Sequence, residues 1–238
     1  MRIDFHSHIL PGIDDGSADV NESIRMLQME RKQGIEVVVA TPHFYPQRDT
    51  LQDFLFKRDQ AYMRLFEAMH GAGDLPQVIV GAEVYYYPGI SESDVLADLT
   101  IDGTNCILIE MPMTVWTDAM YRDLEQIHVR CGITPIIAHV NRYIKPLKTY
   151  GIPQRLQRRP VWVQSNGSFF LQRSTRRMAL RMLEEGKIHL LGSDCHNLTS
   201  RPPNLDTVRS CISHHLGEEV IDSIRANESE IIPVLKKA

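Results

Sequence analysis

Short runs rich in apolar and β-branched residues recur along the chain, and apolar positions at helical spacing fill the intervals. The runs are RIDF near residue 2, EVVVAT from 36, QVIVGAE from 77, CILIEM from 106, TPIIAH from 134, VWVQS from 161 and IHLLGSD from 188. Each predicts a strand. Between the first two, SADVNESIRMLQMERKQG opens on cap-type residues, continues amphipathically and stops at Gly34. Residues 51–70, with Leu51, Phe54, Leu55, Leu65 and Phe66 as apolar positions, predict a second helix. Residues 118–131 and 173–186 follow the same pattern, the latter ending at Gly186. From residue 203 on the chain reads as closing helices, with Pro202, Pro203 and Pro233 as punctuation. Strand–helix alternation over the whole length predicts an α/β fold with a parallel sheet, either closed as a barrel or open and doubly wound. The chain's 238 residues fit a single domain spanning 1–238.

The polar residues fall at one end of these runs. His6 and His8 end the first, His43 follows the second, Glu83 ends the third and Glu110 the fourth. His139 ends the fifth, Gln164, Ser165 and Asn166 the sixth, and Asp194 and His196 the seventh. In parallel α/β folds this C-terminal edge is where sites are built. With Asp15 from the loop after the first strand, nine side chains would converge on one mouth. Left alone, such a cluster is costly, because carboxylates repel one another and imidazoles compete for protons. Divalent cations resolve the conflict by keeping the carboxylates ionised and the histidines neutral. Nine donors are too many for one tetrahedral ion and suit two or three ions with mixed nitrogen and oxygen ligands. The scarcity of cysteine in the set argues for manganese, iron or zinc in a hydrolytic role.

Composition narrows the picture. A charged fraction of 24% and a net charge of −4 give no electrostatic case for nucleic acid as a partner. The four cysteines have no short paired spacing, so neither a disulfide framework nor a zinc ribbon is expected. No apolar run approaches a membrane span, and the first residues read as a strand rather than a signal peptide, so a cytoplasmic protein is expected. No G-x-G-x-x-G follows the first strand, which leaves dinucleotide binding unsupported.

Taken singly, each of these residues has an ordinary explanation. H-x-H arises by chance in strands, because alternate residues share a face. Asp14 and Asp15 after Pro-Gly could form a turn and start a helix. The joint occurrence at one sheet edge is what favours a metal site. His70, His128, His189, His214 and His215 fall outside the pattern and read as structural or solvated. Cys195 and Arg201 in CHNLTSR match the C-x5-R spacing of cysteine-dependent phosphatases. That loop lacks the glycine such phosphate cradles use, and Cys195 stands between two candidate ligands, so it reads as a spacer.

The motifs DFHSHILPGIDDG, ATPH, GAE, LIE, IAHVNRY and SDCHNLTSRPP, in this order, resemble the PHP (polymerase and histidinol phosphatase) superfamily. More narrowly they are similar to its CpsB/CapC-type bacterial protein-tyrosine phosphatases of capsule and exopolysaccharide synthesis. The resemblance implies a distorted (β/α)7 barrel and a trinuclear, usually manganese-dependent centre. It implies His6, His8, Asp15, His43, Glu83, Glu110, His139, Asp194 and His196 as ligands. Asp14, one residue before Asp15, then serves as a turn residue. Arg142 and Arg201 match the phosphate-binding arginines. The implied substrate is phosphotyrosine in the tail of a membrane-associated bacterial tyrosine kinase. Two departures bear on substrate preference. Asn141 stands where relatives often carry glutamate, and FYPQ (44–47) stands where many carry polar or basic residues. Both are expected on loops that face the substrate.

The expected chemistry is direct attack of a metal-bridging hydroxide on phosphorus, with the two arginines on the non-bridging oxygens. A tyrosinate leaves readily, so acid catalysis is helpful rather than essential. Tyr45, Tyr85, Tyr86, Tyr87, Trp116, Phe169 and Phe170 are candidates for an aromatic pocket around the substrate ring. The alternatives are a relative acting on small phosphomonoesters such as histidinol phosphate, and a non-catalytic regulatory barrel.

Overall fold

The structure, a computed structural model, describes residues 1–144 and 151–233. Strand β1 is Ile3–Ser7 and helix α1 is Val20–Lys32, with Asp19 accepting from the Glu22 N–H as its N-cap. The second predicted run is two strands, β2 Val37–Ala40 and β3 His43–Phe44. Pro42 lies in the break, where it has no N–H to give to a ladder. Helix α2, Leu51–Met69, is capped by Thr50. The third run is likewise split, into β4 Gln77–Val80 and β5 Glu83–Tyr85. There follow β6 Cys106–Glu110, α3 Asp118–Cys131, β7 Thr134–Ile137, α4 Asn141–Ile144 and α5 Ile152–Leu156. The chain continues through β8 Trp162–Asn166, α6 Ser168–Leu171, α7 Arg176–Glu184 and β9 Leu190–Gly192, and ends with α8 Leu205–Leu216 and α9 Glu218–Ile231.

All strand pairs are parallel, in the orders β1-β2-β4 and β3-β5-β6-β7-β8-β9. The last strand returns to the first. Asp194 N–H donates to His6 O at 2.8 Å, and His8 N–H donates to Cys195 O at 2.9 Å. The sheet is therefore curled, an α/β fold with parallel strands and helices outside it. The two broken runs are a refinement on the sequence pattern. A short gap in pairing leaves the hydrophobic run intact and is invisible to it. The short helices α4, α5 and α6 were also absent from the pattern, because four or five residues are too few to show a helical period.

Two apolar layers hold the fold. One lines the concave face of the sheet, with Ile3, Phe5, Val39, Leu108, Ile136 and Leu190 in contact and Ile231 and Ile232 at the end of α9 closing against them. The other lies between the sheet's outer face and the helices. In α3, for example, Leu124 and Ile127 are fully buried on one stripe while the opposite face is solvated. Burying each such side chain contributes about 1.5–3 kcal/mol.

Strand β1 breaks its own alternation. Ile3 and Phe5 join the concave layer, so strict alternation would send Asp4 and His6 outward together. The β1–β2 register shifts between Asp4 and Ser7. Asp4 lies beside Glu30 of α1, while His6 joins Glu83 and Asp194. A bulge-like irregularity thus re-aims two histidines into the mouth.

Candidate metal centre

The register of the strands brings the donors together. His43 pairs with Glu83 across β3–β5, and Tyr85 pairs with Glu110 across β5–β6. Glu83 and Asp194 each bring a carboxylate oxygen close to the His6–His8 pair. His6 Nε2 and His8 Nε2 are 3.1 Å apart, Glu83 Oε2 lies 3.2 and 3.3 Å from them, and Asp194 Oδ1 lies 3.6 and 3.5 Å from them. Donors about 2.1 Å from a shared ion stand about 3–3.5 Å from one another, so this spacing fits a coordinated cation. On one side of this tetrad, His139 Nε2 lies 2.7 Å from Glu83 Oε1 and 3.4 Å from Glu110 Oε1. On the other, Asp15 Oδ1 lies 3.4 Å from His43 Nε2 and 3.5 Å from His196 Nε2. The His8 and His196 rings are 3.9 Å apart. All nine predicted side chains thus meet at the mouth in four overlapping groups of three or four, with Glu83 common to two of them.

The residues fit divalent cations on a further count. Glu83 Oε2, His43 Nδ1 and His196 Nε2 are buried without a hydrogen-bond partner, although His43 Nδ1 is 3.0 Å from Glu83 Oε2. Buried polar atoms are normally satisfied, and three such lone-pair donors at one mouth are what a divalent cation would coordinate. The non-coordinating ring nitrogens are held from behind. His8 Nδ1 contacts Asp14 Oδ2 at 2.8 Å, His139 Nδ1 contacts the Tyr143 hydroxyl at 3.2 Å, and His196 Nδ1 contacts Asp194 O at 3.0 Å. Gln164 Oε1 lies 3.4 Å from His6 Nδ1 and accepts from the His139 N–H at 2.6 Å. Such outer contacts hold each ring with Nε2 turned toward the carboxylates at the mouth, where a metal would sit.

Electrostatics agree with this arrangement. Burial opposes a charge on Glu83, yet His6, His139 and His43 hold its carboxyl well below the usual range. Burial likewise opposes ionisation of Asp194, and His6, His8 and Arg142 outweigh it. Burial disfavours a protonated His8, but its contacts with Asp14 and Glu83 push it up to about 10, while Asp14 is held down at about 2 against its own burial. His196, lowered by burial and by neighbouring His8, falls to about 4 and stands neutral. Backbone strain is concentrated here too. His139 and Asp194 are the non-glycine residues with positive φ, at 31° and 54°, among the described residues. Conformations of this kind cost about 1–3 kcal/mol each and are kept where a site requires them. Two glycines make room. A Cβ on Gly16 would come within 2.2 Å of His8 O, and one on Gly192 within 2.6 Å of His6 Cβ.

Both predicted phosphate-binding arginines stand at the rim. Arg142 Nη2 donates to Asp194 Oδ2 at 2.6 Å, and Arg201 Nη2 lies 2.7 Å from Asp194 Oδ1. Asp14 does more than turn the chain. Besides holding His8, it accepts from the Gly16 N–H at 2.9 Å and from the His43 N–H at 3.1 Å. Sequence reasoning missed this link, and missed Asn166, which donates to Asp194 Oδ2 at 2.6 Å.

Other expectations are corrected. Asn141 does not face a substrate, since its Oδ1 accepts from the Asn166 N–H at 3.0 Å and so ties α4 to β8. Phe44 is buried against Phe54, with ring centroids 5.0 Å apart. Trp116, Phe169, Phe170 and Tyr86 are buried as loop packing rather than lining a pocket. Of the aromatic candidates, Tyr45 and Tyr85 remain partly exposed at the mouth, 5.7 Å apart between centroids, with Tyr45 5.1 Å from the His43 ring. Cys195 is fully buried, and burial together with Glu30 and Asp4 pushes its thiol well above the ordinary range. That leaves a neutral, inaccessible sulfur and removes the cysteine-nucleophile reading.

Comparison with known proteins adds to the geometry. Residues 2–233 match a family model described as "Capsular polysaccharide synthesis, CpsB/CapC". The tyrosine-protein phosphatase CpsB of Streptococcus agalactiae serotype III is 30% identical over 95% of this chain and 93% of its own. The tyrosine-protein phosphatase YwqE of Bacillus subtilis is 29% identical over 92% and 86%. Crystal structures of YwqE and of CpsB from Streptococcus pneumoniae, described as unique metal-dependent tyrosine phosphatases, include a chain that superposes with a TM-score of 0.80 at 25% identity. That match covers 95% of this chain and 93% of the other. A TatD family hydrolase from Entamoeba histolytica shares the fold, with a TM-score of 0.55 at 9% identity and 98% coverage of both chains.

Proposed function

We propose a function from one premise: the chain belongs to the CpsB/CapC family of capsular polysaccharide synthesis proteins. Its own activity is then that of a metal-dependent protein-tyrosine phosphatase. The observation that carries this reading is the Glu83 carboxylate, with one oxygen between His6 and His8, the other on His139, and no hydrogen bond to the first. The ligands we assign are His6, His8, Asp15, His43, Glu83, Glu110, His139, Asp194 and His196. They would hold two or three divalent ions, manganese by preference over iron or zinc. We read the fold as a closed, distorted (β/α)7 barrel of PHP type forming one domain over 1–238.

When bound, such ions supply Lewis acidity toward the phosphoryl oxygens and lower the pKa of water at the site. The chain's own groups do the rest. Arg142 and Arg201, each about one-third exposed, reach the mouth from α4 and from the loop after β9. Each offers paired N–H donors to the phosphoryl oxygens, where charge grows in the transition state. The Tyr45 and Tyr85 rings flank the rim and can pack against the aryl ring of the substrate. Burial, with Glu110 and Glu83 nearby, pushes Tyr45 up to about 12, so it stays neutral beside a dianionic ester. Fully buried Gln164 fixes His6 and His139 together and keeps the donor set aligned.

The substrate we assign is phosphotyrosine in the tail of a membrane-associated bacterial tyrosine kinase, and the location that goes with it is cytoplasmic. Among the described residues no helix is long and apolar enough to cross a membrane. One experiment tests the reading. Metal content per chain is measured under metal-replete conditions, with turnover of a phosphotyrosine peptide followed with and without manganese. Two or three ions and chelator-sensitive turnover are expected. Fewer than two ions, or turnover indifferent to chelation, overturns it.

A further inference from the structure

Two troughs lead away from the metal centre along one side of the mouth. The nearer, of about 300 Å³, has Asp15 and His43 at its inner end and Tyr45, Arg48, Lys57 and Ile13 along its walls. The outer, of about 500 Å³, is lined by Ile13, Phe56, Lys57, Gln60 and Arg64. Ile13 and Lys57 line both, so the two adjoin and together mark a track from the candidate ligands out over α2.

The charges along the nearer trough are unequally committed. Asp14 is held by His8, and Asp15 by His43 and His196. Asp49 accepts from the Tyr45 N–H at 3.4 Å across its own turn. The two cations have no such commitment. Arg48 and Lys57 are exposed and make no ion pair among the described residues, and Arg48 does no more than lie over the Tyr45 ring, 5.1 Å from its centroid. In the outer trough Arg64 is used, donating to Pro11 O at 3.1 Å, while the Phe56 side chain stands open to solvent. The track therefore presents uncommitted positive charge close to the centre and an apolar wall farther out.

We infer that this track receives the polypeptide on one side of the phosphotyrosine, and that Arg48 and Lys57 select an acidic side chain close to it, with an apolar one following against Ile13 and Phe56. The inference rests on the phosphatase reading above and adds a sequence preference to it. A trough of this volume takes one or two side chains rather than a folded surface, which fits an extended peptide. Exposed ion pairs each contribute little, so the preference is graded, and added salt weakens it.

The test uses the manganese-loaded full chain, p-nitrophenyl phosphate, and phosphotyrosine peptides in which Glu or Gln is placed in turn at each position beside the phosphotyrosine. The acidic peptide is expected to show about three- to fivefold higher kcat/KM than its Gln counterpart at low salt, at positions on one side only. R48E and K57E should each narrow or reverse that ratio. The same peptides made with a non-hydrolysable phosphonate analogue give the ratio a second readout in Kd. Equal handling of both peptides while p-nitrophenyl phosphate is still turned over overturns this inference and leaves the phosphatase reading standing. A preference that survives both R48E and K57E overturns the assignment to these residues. Failure to hydrolyse any phosphomonoester with manganese present overturns both readings.

Discussion

Glu83 and Glu30 are both buried glutamates in clusters that strand β1 serves, and their acidities are shifted in opposite directions. Glu83 faces His6, His8, His43 and His139 and is held well below the usual carboxyl range. Glu30 sits behind the strand with Asp4 and Cys195 and is pushed well above it, first by burial and then by Asp4. Burial penalises the charge in both places, so the neighbours decide. Four imidazoles around Glu83 create a place for cations. The group around Glu30, Asp4 and Cys195, holds no imidazole among the described residues, and there a proton is the cheaper way to neutralise the carboxyl. Residues four and six of one strand therefore belong to chemically different sites. The strand's register irregularity is what separates them.

The largest expected effect follows from exchanging the two glutamates' roles. Glu83→Gln should lower phosphatase turnover by more than about a hundredfold and reduce the ions bound per chain, because it removes the carboxylate common to two donor groups. Glu30→Gln should leave turnover near wild type, since a neutral side chain replaces one already neutral. Equal loss in the two variants would break the comparison. Removing metal with a chelator should abolish turnover, while Cys195→Ser should leave most of it. The reverse pattern would return the chemistry to the thiol.

A smaller difference separates the adjacent aspartates. Asp15→Asn should weaken metal binding more than Asp14→Asn, for which about a tenfold loss is expected through His8. Titration of metal into each variant by calorimetry measures both, and the opposite ranking would put the register of this loop in error. The smallest effect concerns pH in the metal-free protein. His8, near 10 when folded and near its ordinary value of 6.5 when unfolded, stabilises fully below about pH 6.5, and that contribution is lost as pH rises through about 10. The thermal midpoint of the metal-free chain should therefore fall between pH 7 and 10, and should fall less in Asp14→Asn. A flat profile for the wild type would show that His8 is not held as a cation.

The site was more legible than the fold that carries it. Each strand end announced its polar residue because a hydrophobic run that stops at histidine or glutamate leaves an unambiguous boundary. All nine side chains that meet at the mouth could be named from that pattern and the motif resemblance. Asp14 as the partner of His8, Tyr143 behind His139 and Gln164 between His6 and His139 could not be named. These contacts join residues separated by up to 158 positions, and nothing in a local pattern records them. The substrate-facing roles expected of Asn141 and Phe44 failed for a related reason. Asn141 opens α4 after β7 and Phe44 ends β3, but one side chain turns to bond β8 and the other turns into the core.

The sequence by itself determined the succession of apolar runs and long helices and the kind of atom at each strand end, because periodicity and residue chemistry are local properties. Tertiary structure decided which atoms share an ion-sized space, which of two buried carboxyls keeps its charge, and which cations are left free beside the mouth. Those outcomes depend on distance and dielectric between residues far apart in the chain, and both exist only once the sheet has curled and brought β9 back to β1.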